Sequence, residues 1–232
     1  MSEIRIIKGN IFNSNMKTIV NTVNCVGFMG AGIALDYKRR YPDMHEEYKI
    51  KCKNNDINIG ELSIYKKSKP WILNFPTKIH YKDPSKISYI EKGLNKFIDI
   101  YEDEEIDSIA FPQLGSSLGG LDWDDVLKLM LRYLQRLNNI DIEIYEYDPA
   151  ASDNLFDSLF ELLKDFTVDD YKKYLNINQK VAIQIKKSLG TNIRSMRDFE
   201  YIKGLGDATL EKLYNPEIIN NCQENLDFDK FK

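Results

Sequence analysis

Cysteine is scarce in this 232-residue sequence: Cys25, Cys52 and Cys222 are odd in number, far apart, and form no C-x-x-C pair. That pattern excludes a disulfide framework and a cysteine-based zinc site, and it fits a reducing compartment. An excess of positive charge is also missing, since 32 lysines and arginines stand against 36 aspartates and glutamates, a net charge of −4. No global attraction to nucleic acid or anionic lipid follows, so any polyanion must be held by local geometry. Long apolar runs are missing too. The opening MSEIRIIKGN lacks the apolar stretch of a signal peptide, and nothing reaches the ~18 residues of a membrane span. A cytoplasmic protein with no membrane partner is the expectation.

What is present is an alternation of two periods. Short β-branched runs occur at 4–7 (IRII), 18–23 (TIVNTV), 62–66 (LSIYK), 71–76 (WILNFP), 108–114 (SIAFPQL) and 142–147 (IEIYEY). Between them, residues 32–53, 85–101 and 122–138 carry apolar residues at three-to-four spacing. Strands separated by helices predict an α/β sheet sandwiched by helices. The last strand ends at Asp148-Pro149, and only helical patterns follow, which places a domain boundary near 149–153. Splitting the chain at Ala150 gives 20 basic and 22 acidic residues before it and 12 and 14 after it, so neither part is basic.

The stretch VNTVNCVGFMGAGIAL at 20–35 has no charge, two asparagines three apart and a glycine cluster directly after a strand. In open α/β sheets ligands bind at the carboxyl edge of the strands, where glycines let backbone N–H groups close on a phosphate. Gly30-Ala31-Gly32 would open the next helix, whose N-terminus favours an anion. A second such loop, LGSSLGGLDW at 114–123, follows the strand SIAFPQ and precedes a helix. Two loops of this kind fit a diphosphate held between them. The alternative is that the glycines serve only tight turns, and that Asn21 and Asn24 are turn or edge-strand residues.

NTVN, then GFMGAGIA, YPD, NFPTK and LGSSLGGLDW, in this order, resemble the macrodomain fold, and specifically the DarG-type DNA ADP-ribosyl glycohydrolases. The resemblance runs from about Ile4 to Pro149. It implies a three-layer α/β/α sandwich with a mixed sheet that binds ADP-ribose, with no metal and no further cofactor. It also implies that the Lys8-Gly9-Asn10-Ile11 turn meets the adenine, with Asn10 in place of the family's usual aspartate. Asn24 would hold the distal ribose. Gly30, Ala31, Gly32 and Ile33 would line the diphosphate, and Gly115, Ser116, Ser117, Leu118, Gly119 and Gly120 would close over it.

Lys78 of NFPTKIHYK matches the lysine that DarG-like enzymes use in catalysis, and a lysine partly desolvated at a strand end can serve as nucleophile or base. Without the motif it reads as one solvated lysine among Lys82 and Lys86. The implied reaction releases ADP-ribose from a thymine nitrogen of DNA, with Lys78 and Asn24 as the catalytic pair. Two departures from the pattern stand out. Ser116-Ser117 replace a small residue or cysteine followed by glycine, and Gly119 stands where related enzymes carry an aspartate, which leaves the general acid unassigned. His80 is one candidate for it. Asp122, in GLDW, reads as a helix cap. The rival to the enzyme is a non-catalytic reader or sensor of ADP-ribose or a NAD metabolite.

In the carboxyl-terminal part, FEYIKGLGDATLEKLY at 199–214 resembles a helix-hairpin-helix motif, in which backbone amides after Gly-x-Gly meet a DNA phosphate. YLNINQKVAIQI at 174–185 repeats it, with Asn176 and Asn178 at the positions of Gly204 and Gly206. A tandem helical domain over 153–215 is expected, followed by a mobile or docking tail over 216–232. Gly204, Gly206, Lys203 and Lys212 are candidate DNA contacts, with Lys186 and Lys187 as further basic residues. A DarT-like toxin, the DNA-modifying partner of such antitoxins, is an alternative partner for this region, and plain packing is a third reading.

Overall fold

A computed structural model describes residues 3–191, 193–215 and 218–222. The chain divides into two compact units, Met1–Ala151 and Ser152–Lys232.

The first unit is built on a six-stranded sheet in the order β1-β6-β5-β2-β4-β3: β1 is Ile4–Gly9, β2 Thr18–Asn24, β3 Ser63–Tyr65, β4 Trp71–Lys78, β5 Ser108–Phe111 and β6 Asp141–Tyr147. All neighbouring pairs are parallel except β3, which lies antiparallel against β4 at one edge. Both faces are buried, because alternate residues of each central strand feed two cores. Val20, Leu73, Phe75, Ile109, Phe111, Ile142 and Ile144 pack with helices α3 (Ile87–Ile100) and α4 (Trp123–Leu134). Ile19, Ile72, Ala110 and Tyr145 face the other way, toward α1 (Gly32–Arg40) and α2 (Pro42–Lys53). The result is the three-layer mixed sandwich.

The periodic stretch 32–53 is two helices rather than one. Pro42 has no N–H to donate and sits at the first position of α2, so the chain breaks at Tyr41 and restarts. The expected strand over 108–114 stops at Phe111, immediately before Pro112. Asp122 caps α4 as expected, its Oδ1 accepting from the Asp125 N–H at 3.2 Å.

The second unit is all-helical: α5 (Asn154–Lys164), α6 (Val168–Leu175), α7 (Gln179–Ser188), a 3₁₀ segment at Met196–Tyr201 and α8 (Asp207–Tyr214). Leu159, Leu163, Phe166, Tyr171, Ile185, Phe199 and Leu213 form its core. The expected tail needs correction at its start. Ile219 and Cys222 are buried in the same core, three residues apart on one helical face. The remainder of 216–232 lies outside the described residues.

The two proposed hairpins share a backbone geometry. Asn176 has φ 49° after α6 and Gly204 has φ 93° after the 3₁₀ segment, while Asn178 and Gly206 are the extended caps that start α7 and α8. The Asn178 side chain accepts from the Val181 N–H at 3.0 Å. Two of the lysines considered for DNA contact have structural duties instead. Lys212 Nζ donates to the Asn176 carbonyl at 3.2 Å, tying α8 to the end of α6, and Lys186 donates to the Phe166 carbonyl. Lys203 and Lys187 are exposed.

Candidate functional site

The site is organised by one irregularity in the sheet. β2 and β4 run in register from Thr18 opposite Trp71 to Val23 opposite Pro76, and then the pairing shifts so that Asn24 stands opposite Lys78. Thr77 is the extra residue of a β-bulge, a device that re-aims a strand end. The motif asparagine and the motif lysine thereby become cross-strand neighbours at the carboxyl edge.

Asn24 is 6% exposed, and its side chain folds the loop that follows it. Oδ1 accepts from the Val26 N–H at 3.0 Å, the Phe28 N–H at 3.3 Å and the Tyr48 hydroxyl at 3.3 Å, while Nδ2 donates to the Phe28 carbonyl at 2.6 Å. The residue expected to grip the ribose is thus largely spent on shaping the loop, with a single Nδ2 hydrogen remaining for a ligand. The loop is also stapled to the segment after β4: the Cys25 N–H donates to the Ile79 carbonyl at 3.0 Å and Cys25 Sγ to the Lys78 carbonyl at 3.4 Å.

At Gly30 a Cβ would meet the Phe28 ring at 2.3 Å, so the missing side chain makes room for that ring. The loop leads into the start of α1. Ala31 is its extended cap without a side-chain hydrogen bond, and no acidic residue lies in the first turn. The first N–H groups of the helix therefore lack intrahelical acceptors beside the positive end of its dipole. Ala31 is exposed, and Gly32 and Ile33 are half-buried.

The second glycine loop faces this helix start. A Cβ on Gly32 would lie 3.0 Å from Leu118 Cδ1, which places the two loops in contact. The loop closes on itself through Gly120 N–H to Ser116 O at 2.9 Å and Leu121 N–H to Gly115 O at 3.1 Å. Gly119 is indispensable to that shape, since a Cβ would sit 2.0 Å from the Gly115 carbonyl oxygen. An aspartate at 119 does not fit this loop. Ser116 is half-buried with its hydroxyl donating to Leu114 O at 3.4 Å, whereas Ser117 and Leu118 are exposed.

Lys78 reaches across the cleft, its Nζ donating to the Leu118 carbonyl at 2.5 Å. The amine therefore connects β4 to the second glycine loop, with Asn24 beside it. At the other end of the cleft Asn10 caps the 3₁₀ turn Ile11–Asn13, Oδ1 accepting from the Phe12 N–H at 3.1 Å, and the Ile11 side chain is 5% exposed. The Ile11 side chain is committed to the core.

Three participants gave no motif signal. Tyr48 in α2 donates to the Asn24 carbonyl at 2.6 Å, and burial raises its hydroxyl pKa far above the ordinary value. Ser85 is 6% exposed; its N–H donates to the Gly119 carbonyl at 2.9 Å and its Oγ lies under the same loop without a partner. His45 sits beside Gly27, with burial first and then Lys38 and Lys49 pushing its pKa down to about 4, so the ring is neutral at pH 7. Burial likewise lifts the Cys25 thiol to about 11 and removes it as a nucleophile. Among the described residues no group of three His, Cys, Asp or Glu side chains is placed to hold a metal ion. No helix of the described residues is long and apolar enough to cross a membrane.

Comparison with known proteins agrees with this architecture. Residues 20–130 match the family described as the Macro domain. The chain is 42% identical over 141 residues to a DNA ADP-ribosyl glycohydrolase of Mycobacterium tuberculosis, covering 59% of this chain and 40% of that protein. It is 36% identical over 147 residues to the Thermus aquaticus protein of the same name, covering 62% and 41%. Among solved structures, the macrodomain of Thermus aquaticus DarG superposes with a TM-score of 0.61 at 35% identity, covering 63% of this chain and 99% of that one. The chain thus spans about 40% of the length of the curated relatives. With a solved macrodomain aligned over nearly its whole length at this identity, the chain belongs to the macrodomain family.

Proposed function

We propose that the protein is a glycohydrolase that releases ADP-ribose from DNA, acting on thymidine adducts, and that it counters a DNA ADP-ribosyltransferase toxin. The observation that carries this reading is the bulge that sets Asn24 opposite Lys78, with the amine spanning to the second glycine loop. The names of the relatives point the same way, including a Thermosipho africanus protein, 36% identical over 161 residues, that fuses a DNA ADP-ribosyl transferase to a DNA ADP-ribosyl glycohydrolase.

In this reading the start of α1 and the second glycine loop hold the diphosphate, and the Asn10 turn holds the adenine. The anomeric carbon of the distal ribose then lies beside Lys78. Thymine has two ring nitrogens; N1 carries the deoxyribose, so the adduct is on N3. The Lys78 nitrogen adds to the anomeric carbon as the bond to N3 breaks. Thymine leaves with the bonding electrons and takes the proton that the lysine nitrogen sheds, so no separate general acid is required. Water then adds to the carbon and passes one proton to the lysine nitrogen as the carbon–lysine bond breaks, and ADP-ribose departs with Lys78 restored. The chemistry draws on the lysine and water alone, with no metal or cofactor.

The second unit supplies the partner surface, either for DNA through the turns at Gly204 and Gly206 with Lys203, or for a DarT-like toxin. A cytoplasmic setting suits both. The alternative, an ADP-ribose reader, is favoured by one observation: no acidic side chain fits at Gly119. Release of ADP-ribose from a thymidine-ADP-ribosylated single-stranded oligonucleotide separates the two. The hydrolase reading expects release by the native protein and a loss of at least about 100-fold in Lys78→Ala with ADP-ribose binding retained. Binding without release by the native protein overturns it in favour of the reader.

A further inference from the structure

The rim of the cleft nearest Lys78 carries a set of rings that the fold does not bury. Phe28 is 51% exposed and Tyr81 41%, with ring centroids 4.5 Å apart, and His80 lies on Tyr81 at 4.2 Å. Val26 and Ile79, 47% and 50% exposed, flank them. These residues ride on the two loops that begin at Asn24 and Lys78, and the Cys25–Ile79 hydrogen bond locks those loops together. Phe28 is fixed by its backbone bonds to Asn24 and by the space over Gly30. Exposed rings held this rigidly at the mouth of a polar site form a preformed stacking surface.

The charge around the rings has the matching sign. Lys78, Lys82 and Lys86 lie within nine residues that include one acid, Asp83, in a chain whose net charge is −4. Lys82 Nζ lies 5.7 Å from the Tyr81 ring centre and Lys86 Nζ 5.5 Å from the Tyr89 ring centre. Aromatic faces interleaved with lysines describe a site for single-stranded nucleic acid, where bases stack on rings and cations meet the backbone.

We propose that Phe28, Tyr81 and His80 form a stacking platform for an unpaired DNA base next to the modified thymidine, with Lys82 and Lys86 meeting the adjoining phosphates. The proposal rests on the glycohydrolase reading and adds the residues that hold the strand beside the lesion. An adduct on thymine N3 occupies the Watson–Crick edge, so the modified base is already unpaired and its neighbours are free to leave the stack.

The test is binding of a fluorescein-labelled five-residue oligothymidylate to the full chain in the presence of ADP-ribose, read by anisotropy. Phe28→Leu with Tyr81→Leu keeps the apolar bulk and removes the stacking faces. The expected result is affinity at least about fivefold weaker than native, the low end of one base–aromatic stack, with ADP-ribose affinity unchanged. Ile50→Ser, an exposed apolar residue of α2, is expected to leave both unchanged. Equal oligothymidylate binding by native and double variant, or no binding by the native protein, overturns the platform. Release from the adducted oligonucleotide, measured in parallel, reports on the glycohydrolase reading alone, so either can fail without the other.

Discussion

Replacing Gly119 with alanine adds one carbon where the loop has no room for it. The new Cβ would sit 2.0 Å from the Gly115 carbonyl oxygen and 2.5 Å from Ser85 Oγ. Ordinary contact begins at about 3.4 Å, so the peptide at 115 or at 119 has to retreat by roughly 1.4 Å. Three hydrogen bonds hang on that geometry: Ser85 N–H to Gly119 O at 2.9 Å, Leu121 N–H to Gly115 O at 3.1 Å and Gly120 N–H to Ser116 O at 2.9 Å. A shift of that size takes a 2.9 Å bond out of range. Each amide turned away from a ligand phosphate costs about 1.5–3 kcal/mol, so the loss of one weakens ADP-ribose binding about 10- to 150-fold. Calorimetric titration of ADP-ribose into native protein and Gly119→Ala, with thermal unfolding as a check on folding, measures this. An affinity within twofold of native in a folded variant would refute the reasoning, because the loop would then have tolerated the carbon or taken no part in binding.

Asn24→Ala removes the acceptor for the Val26 and Phe28 N–H groups, and hydrogen exchange at those two amides is expected to accelerate at least about tenfold, while unchanged exchange would deny Asn24 its loop-shaping role. The His45 ring has a folded pKa of about 4 against an ordinary 6.5, so the unfolded chain binds more protons between those values and stability falls as the pH drops from 6.5 toward 4. The loss is on the order of 1–2 kcal/mol once partial solvent screening is allowed for, and a urea titration series at pH 7, 5.5 and 4.5 should show it in the native protein and much reduced in His45→Gln. Cys25, with its thiol lifted to about 11, is expected to resist iodoacetamide at pH 7.5 far longer than a free cysteine, and rapid labelling in mass spectrometry would contradict that environment.

The two sequence periods carried the sheet and its layers: runs such as TIVNTV and SIAFPQL could only be central strands, and the lengths between them left room for helices. The break at Tyr41 was legible in Pro42 but was passed over, since apolar spacing continues across it. The site was legible where it depended on residue type, as in the glycine loops and NFPTK. It was not legible where it depended on backbone direction. Nothing in the letters marks Thr77 as the extra residue of a bulge, nor Gly30 as the seat of a ring. Ser85 and Tyr48 act through contacts from other elements, and such contacts leave no local pattern. Lys212 looked like a DNA contact because a lysine near a Gly-x-Gly turn usually faces solvent, whereas here it caps a helix distant in sequence.

The bulge between β2 and β4 means that the meeting of Asn24 and Lys78 is encoded by a count of residues and not by their chemistry. Up to Val23 and Pro76 the two strands keep step, and a single unpaired residue then decides which side chain comes forward. Substitutions within Trp71–Thr77 that preserve the core can accumulate without disturbing that encounter. A deletion of one residue there would turn Lys78 to the opposite face of the sheet while leaving every motif letter in place. For this protein an alignment gap inside that strand is a stronger sign that Asn24 and Lys78 no longer meet than any substitution in it except at Lys78 itself.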